Sequence, residues 1–241
     1  MLWTKDHAMS APTIHQKIEA YCKPNDMGKR HLKEYSWLNC YRHFRETTPE
    51  TLAGEAGRDH AALHLGFYLA SWGMFRNSFL SSHAYTIHYG VIDRLLEACF
   101  SDLWKEEFGI TDNDSYSMAL VVEAIKAVRE AYKPFASPRQ PSDTLVTKVL
   151  FGTFGCVPAC DTYFQAGFRS CGFQYGAPND AFLGSIFHFC KDHLCELRKE
   201  QTWIEGQFGV RYPLMKIIDM YFWQIGSDRL AKPTRAKSAP I

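Results

Sequence analysis

Apolar residues recur at three- and four-residue intervals along almost the whole chain, the spacing that gathers them on one face of an α-helix. Strand-like alternation bounded by turns is scarce. The pattern predicts an all-α protein, with helices over about residues 12–23, 30–47, 59–75, 83–104, 115–132, 142–152, 158–170, 180–201 and 212–227. PFASPRQP, residues 134–141, sets three prolines in eight positions, and proline resists helix continuation and favours extended backbone. It is therefore expected to connect two helical lobes, 1–133 and 142–228. The last stretch, RLAKPTRAKSAPI at 229–241, carries four basic side chains without apolar periodicity and reads as a basic tail.

Composition supports a large core: 46% of the 241 residues are hydrophobic and 15% aromatic. MLWTKDHAMS at the start lacks the apolar run of a secretory signal, and the longest apolar stretch, YPLMKIIDMYFWQIG, is interrupted by Lys216 and Asp219. A cytoplasmic protein without a membrane span is expected. The eight cysteines lie scattered within helical apolar patterns, so most are expected as buried thiols rather than disulfides. A formal charge of +1 neither selects nor excludes a nucleic-acid partner, because a local patch outweighs the total.

The stretch FGTFGCVPACDTYF, residues 151–164, interrupts two apolar helical patterns with glycines and a proline. Before it, SDTLVTKVLF offers Ser142 as an N-cap, with Leu145, Val146, Val149 and Leu150 on one face. After it, Pro158 suits the first turn of a new helix, and Gly155 supplies permissive backbone between the two. A turn of this kind aims free amides outward at a helix N-terminus, where they can hold a phosphate oxygen. An ordinary interhelical turn uses the same residues.

TFGCVPACD resembles the hairpin of helix-hairpin-helix DNA glycosylases. Gly155 matches the first hairpin glycine and Cys156 the hydrophobic position, while Val157 stands where the family has its second glycine. The resemblance extends over about residues 142–190, because in YGAPNDAFLGSIF an aspartate, Asp180, enters the next predicted helix 25 residues beyond Gly155, close to the family's catalytic position. What the resemblance implies is a DNA glycosylase that hydrolyses the N-glycosidic bond of a flipped modified base, in repair or anti-phage defence. Lys148, Gly152, Thr153, Gly155 and Val157 would contact DNA, and Asp180 would stabilise an oxocarbenium-like sugar. Helix capping is the structural alternative for Asp180. Pro158, Ala159 and Cys160 occupy the place of the family's Schiff-base lysine, so a monofunctional hydrolase is expected, with Lys148 a more distant candidate amine.

FYLASWGMFRNSF gathers Trp72, Phe75 and Phe79 on one helix side with Arg76 and Asn77 beside them, and Trp72, Phe75, Arg76 and Asn77 are the candidate base pocket. Two other functions compete. Arg76 and His83 in RNSFLSSH satisfy the loose Arg–His spacing of HEPN ribonucleases, as do Arg58 and His64, and a non-catalytic helical DNA-binding module would use the hairpin alone. His188, Cys190, His193 and Cys195 invite a zinc reading, but one helix points them in different directions. His60 and His64 lie one turn apart without a metalloprotease motif, and no nucleotide-binding fingerprint appears. No metal or cofactor is expected. The expected partner is DNA.

Overall fold

A computed structural model describes residues 13–23, 29–105 and 114–231, except for the side chains of 29–32 and 114. The N-terminal MLWTKDHAMS and tail residues 232–241 lie outside the described residues. The described chain is all-α and contains no strand.

Helix α1 (Ile14–Cys22) begins at a capping box in which Thr13 and Gln16 satisfy each other's exposed amides. It is followed by α2 (Lys29–Glu46), α3 (Pro49–Ala53) and α4 (Glu55–Ser71). α3 is a short helix not expected from periodicity, set by Thr48 as N-cap and Pro49 at its first position. The stretch expected as one helix at 83–104 is instead a 3₁₀ turn (Tyr85–His88), α5 (Tyr89–Leu95) and a second 3₁₀ segment (Ala98–Trp104). Its start is tethered from outside: the Tyr85 and Tyr89 hydroxyls both donate to Asp59 on α4, at 2.8 and 2.6 Å.

The second half comprises α6 (Asp114–Ala136), α7 (Asp143–Thr153), α8 (Thr162–Ser170), α9 (Asp180–Asp192), α10 (Leu194–Phe208) and α11 (Leu214–Leu230). α6 runs through Pro134 into the expected connector; the proline cannot donate to the Glu130 carbonyl, and the helix ends two residues later at Ala136. The predicted helix at 180–201 breaks at His193, which ends α9 and starts α10.

The expected pair of lobes gives way to one shared core. A continuous hydrophobic cluster runs from Ile14 to Phe222. α7 packs on α2, α4 and α6, and α1 packs on α11, so elements from both sides of 134–141 interlock. Every residue of α7 from Leu145 to Thr153 is buried, as expected of a helix surrounded by others rather than one showing a polar face to water.

Candidate functional site

The turn between α7 and α8, residues 154–161, lies inside the protein. Gly155 has φ +65°, so the left-handed backbone expected there is present. α8, however, starts at Thr162 rather than Pro158, because Asp161 is its N-cap: Oδ1 accepts from the amides of Tyr163 and Phe164 at 3.1 and 3.0 Å. The segment before it is pinned by side chains. The Ala159 amide donates to Asp219 Oδ1 and the Cys160 amide to Thr147 Oγ1, both at 3.0 Å. Thr144 and Gln165 each donate to the Cys160 carbonyl at 2.9 Å.

These bonds correct the expected DNA contacts. The amides of Ala159 and Cys160 are already satisfied, and Lys148, Gly152, Thr153, Gly155 and Val157 are all buried. A β-carbon on Gly152 would lie 2.6 Å from the Tyr68 ring, and one on Gly155 2.7 Å from Pro213. These glycines admit neighbouring side chains, not a phosphate. Lys148 is turned inward as well: its ammonium lies 3.4 Å from Asp161 and 4.7 Å above the Trp72 ring.

Lys148 and Asp161 belong to a buried ladder of opposite charges that continues along α11. Lys216, 1% exposed, places Nζ 2.7 Å from Glu34 Oε2, a charge contact rather than an aligned hydrogen bond, and donates to the Tyr21 hydroxyl at 3.3 Å. Tyr21 in turn donates to Glu34 Oε1. Asp219, which accepts from the Ala159 amide, lies within reach of the charge of both lysines. Burial pushes its carboxyl up to about 7; the nearby Lys216 and Lys148 pull the other way, and Asp161 and Glu34 add to the rise. The sequence carried a signal for part of this ladder: Lys216 and Asp219, three residues apart in an otherwise apolar helix, argue for a paired interior charge.

The candidate base-pocket residues separate. Arg76 and Asn77 line a cleft of about 260 Å³, whereas Trp72 sits under Lys148 and Phe75 packs edge-on against buried His88 at 6.4 Å. Gly73, at φ +77°, lets the Arg76 guanidinium cross its backbone; a β-carbon there would meet Nη2 at 2.5 Å. Asn77 itself adopts φ +54°, a conformation asparagine tolerates better than most residues. The connector and the start of α7 complete the cleft with Arg139, Gln140 and Ser142. Sequence periodicity had no means of bringing these residues to Arg76. The described lining contains two arginines and no carboxylate.

Asp180 stands exposed in the first turn of α9, with Asn179 as the N-cap accepting from Phe182. Among the described residues, no hydrogen bond or ion pair links Asp180 to the cleft. Nor does one join Arg76 to His83, whose imidazole faces the Phe79 carbonyl at 2.9 Å and the Phe135 ring at 5.2 Å. No group of three or more histidine, cysteine or acidic side chains among the described residues is placed to hold a metal ion, and no helix among them is long and apolar enough to cross a membrane. Comparison of the chain with protein-family models, curated proteins and solved structures returns no match.

Proposed function

We propose that the cleft between Arg76 and Arg139 is a phosphate-binding site and that DNA is the ligand it serves. One observation carries this reading: two exposed arginines line a concave surface with no carboxylate among its described walls. Guanidinium groups suit phosphate because their planar N–H forks match its oxygens, and an acid-free lining leaves the donors for a ligand. The seryl and amide side chains of Ser142, Ser78, Asn77 and Gln140 supply further hydrogen bonds of the kind that position a nucleic-acid backbone.

Base release is the proposed chemistry, supported by the similarity of TFGCVPACD and the position of Asp180 in sequence. The phosphate contact moves from the hairpin to the cleft. Fluorescence anisotropy with labelled duplexes at several salt concentrations tests the binding. Arg76→Ala and Arg139→Ala should each lower the salt-dependence slope by about 0.9, the value of one lost phosphate contact, while leaving the fold intact. Failure of the parent chain to bind DNA, or unchanged slopes in both variants, overturns the site. Incubation with DNAs carrying alkylated, oxidised, deaminated or glucosylated bases, with mass spectrometry of released bases, tests the chemistry. Asp180→Asn should slow single-turnover release by about 10² to 10³ fold if its charge faces the developing sugar cation; parental release rejects that role.

A further inference from the structure

The two arginines of the cleft are set by the turns that carry them. The Arg76 amide donates to the Gly73 carbonyl at 3.2 Å, and the Arg139 amide to the Ala136 carbonyl at the end of α6 at 2.9 Å. Because Gly73 has no β-carbon, the Arg76 guanidinium lies against its backbone, which restricts the side chain before any ligand arrives. Among the described residues neither guanidinium makes a hydrogen bond or ion pair. Asp143, which follows the lining residue Ser142, pairs instead with Arg129 at 2.5 Å. The two serines of the lining add donors rather than acceptors. Ser78 Oγ accepts from the Leu80 amide at 3.3 Å and Ser142 Oγ from the Leu145 amide at 3.2 Å, while among the described residues neither hydroxyl donates. Each therefore keeps its proton for a ligand.

Two unpaired guanidiniums and two such serines line one space of about 260 Å³, below the roughly 300–1,000 Å³ of drug-sized pockets. That setting favours a compact ligand that only accepts hydrogen bonds and carries a double negative charge. An interior phosphodiester meets these terms poorly, because it carries a single charge on two free oxygens and has a sugar on each side of the phosphorus. A terminal phosphate monoester carries about −1.5 to −2 at pH 7 on three strong acceptor oxygens, and with only one sugar behind it can enter end-on. The apolar part of the lining, Phe79 and Leu145, suits the carbon face of that sugar, and Phe79 is steadied edge-on against Tyr132 at 5.8 Å. We infer, resting on the DNA reading of this cleft, that its ligand is the terminal phosphate monoester of a DNA strand, with Arg76 and Arg139 both on that one phosphate.

Fluorescence anisotropy with one internally labelled sequence, prepared as single strand and as blunt duplex and carrying a 5′-phosphate, a 3′-phosphate or hydroxyls at both ends, tests this inference. At a fixed salt concentration a phosphorylated end should raise affinity about tenfold, the scale of a charge-assisted hydrogen bond, and the end that gains identifies the source of the phosphate. Inorganic phosphate should compete that gain away. Arg76 and Arg139 are exposed, so their alanine variants should fold, and each should abolish the gain. Lys126→Ala, which removes an exposed charge of α6 outside the cleft lining, should keep it. Equal affinity for phosphorylated and hydroxyl ends overturns the inference, and if the arginine variants still lower the salt slope the cleft remains a site for the DNA backbone. A gain that survives both arginine substitutions, or one lost equally in Lys126→Ala, also overturns it. Failure of every DNA to bind overturns both this inference and the reading on which it rests.

Discussion

Gly155 shows how one residue can be read correctly for backbone and wrongly for purpose. Its positive φ follows from the demand of the turn, but the space where a side chain would sit holds Pro213 and Tyr41, at 2.7 and 2.9 Å from an added β-carbon. Gly155→Val should therefore act on stability first: a left-handed β-branched residue combined with overpacking should cost about 3 kcal/mol. A urea-unfolding midpoint equal to that of the parent would show that the turn yields without strain. The same inward logic applies to Lys148, whose partners are Asp161 and the Trp72 ring rather than solvent.

Between elements, α8 and α11 approach backbone to backbone, and two glycines allow it. A β-carbon on Gly167 would lie 1.8 Å from the Phe222 carbonyl oxygen, and one on Gly226 1.8 Å from that of Tyr163. Backbone meets backbone there, so no side-chain rotation can relieve the overlap. Around this contact the Phe164, Phe168 and Phe222 rings pack at centroid separations of 5.1 to 5.7 Å. Gly167→Ala should force the helices apart and cost about 3 kcal/mol, the upper end of ordinary overpacking. Gly206→Ala, at an exposed position of α10, has nothing within 4 Å of its new methyl and should instead stabilise by about 0.5–1 kcal/mol through helix propensity. Equal denaturation midpoints for the two variants would remove the close-packing explanation.

Across the whole molecule, buried titratable groups set the response to pH. His43 stacks on His64 with centroids 4.2 Å apart, and burial, reinforced by His64 and His60, pushes it down from 6.5 to about 4. Burial also lowers His64, with His60 adding to the effect, and pushes His88, which sits against the Tyr132 hydroxyl at 2.6 Å, down to about 4. Each of these histidines takes up a proton more readily when unfolded, so its contribution is present above about 6.5 and is lost on acidification, for His43 and His88 as pH falls towards 4. Asp219 has the opposite sign. With its carboxyl raised from 3.8 to about 7, its contribution is complete below 3.8 and is lost as pH rises through 7. Three histidines against one aspartate leave a net loss of stability on acidification from pH 7 to 4.5. Urea midpoints across that range should fall, and more steeply in Asp219→Asn; midpoints that stay level or rise in acid would contradict the assignment.

Helical class, most helix positions and the left-handed turn at Gly155 were legible in the sequence, because apolar periodicity and glycine's freedom act over a few neighbouring residues. The interruption of the apolar run at 212–226 was legible for the same reason, from Lys216 and Asp219. Which side of an element faces water was not. The apolar face marked by Leu145, Val146, Val149 and Leu150 was correct, yet only packing against α2, α4 and α6 decided that the rest of α7, with Lys148, is buried too. Tertiary structure likewise joined Arg76 to Arg139 across 62 intervening positions, and Glu34 to Lys216 across a still longer span. It also fused two expected lobes into one core. Local pattern specifies backbone because its interactions are local; accessibility and charge pairing depend on what the rest of the chain brings alongside.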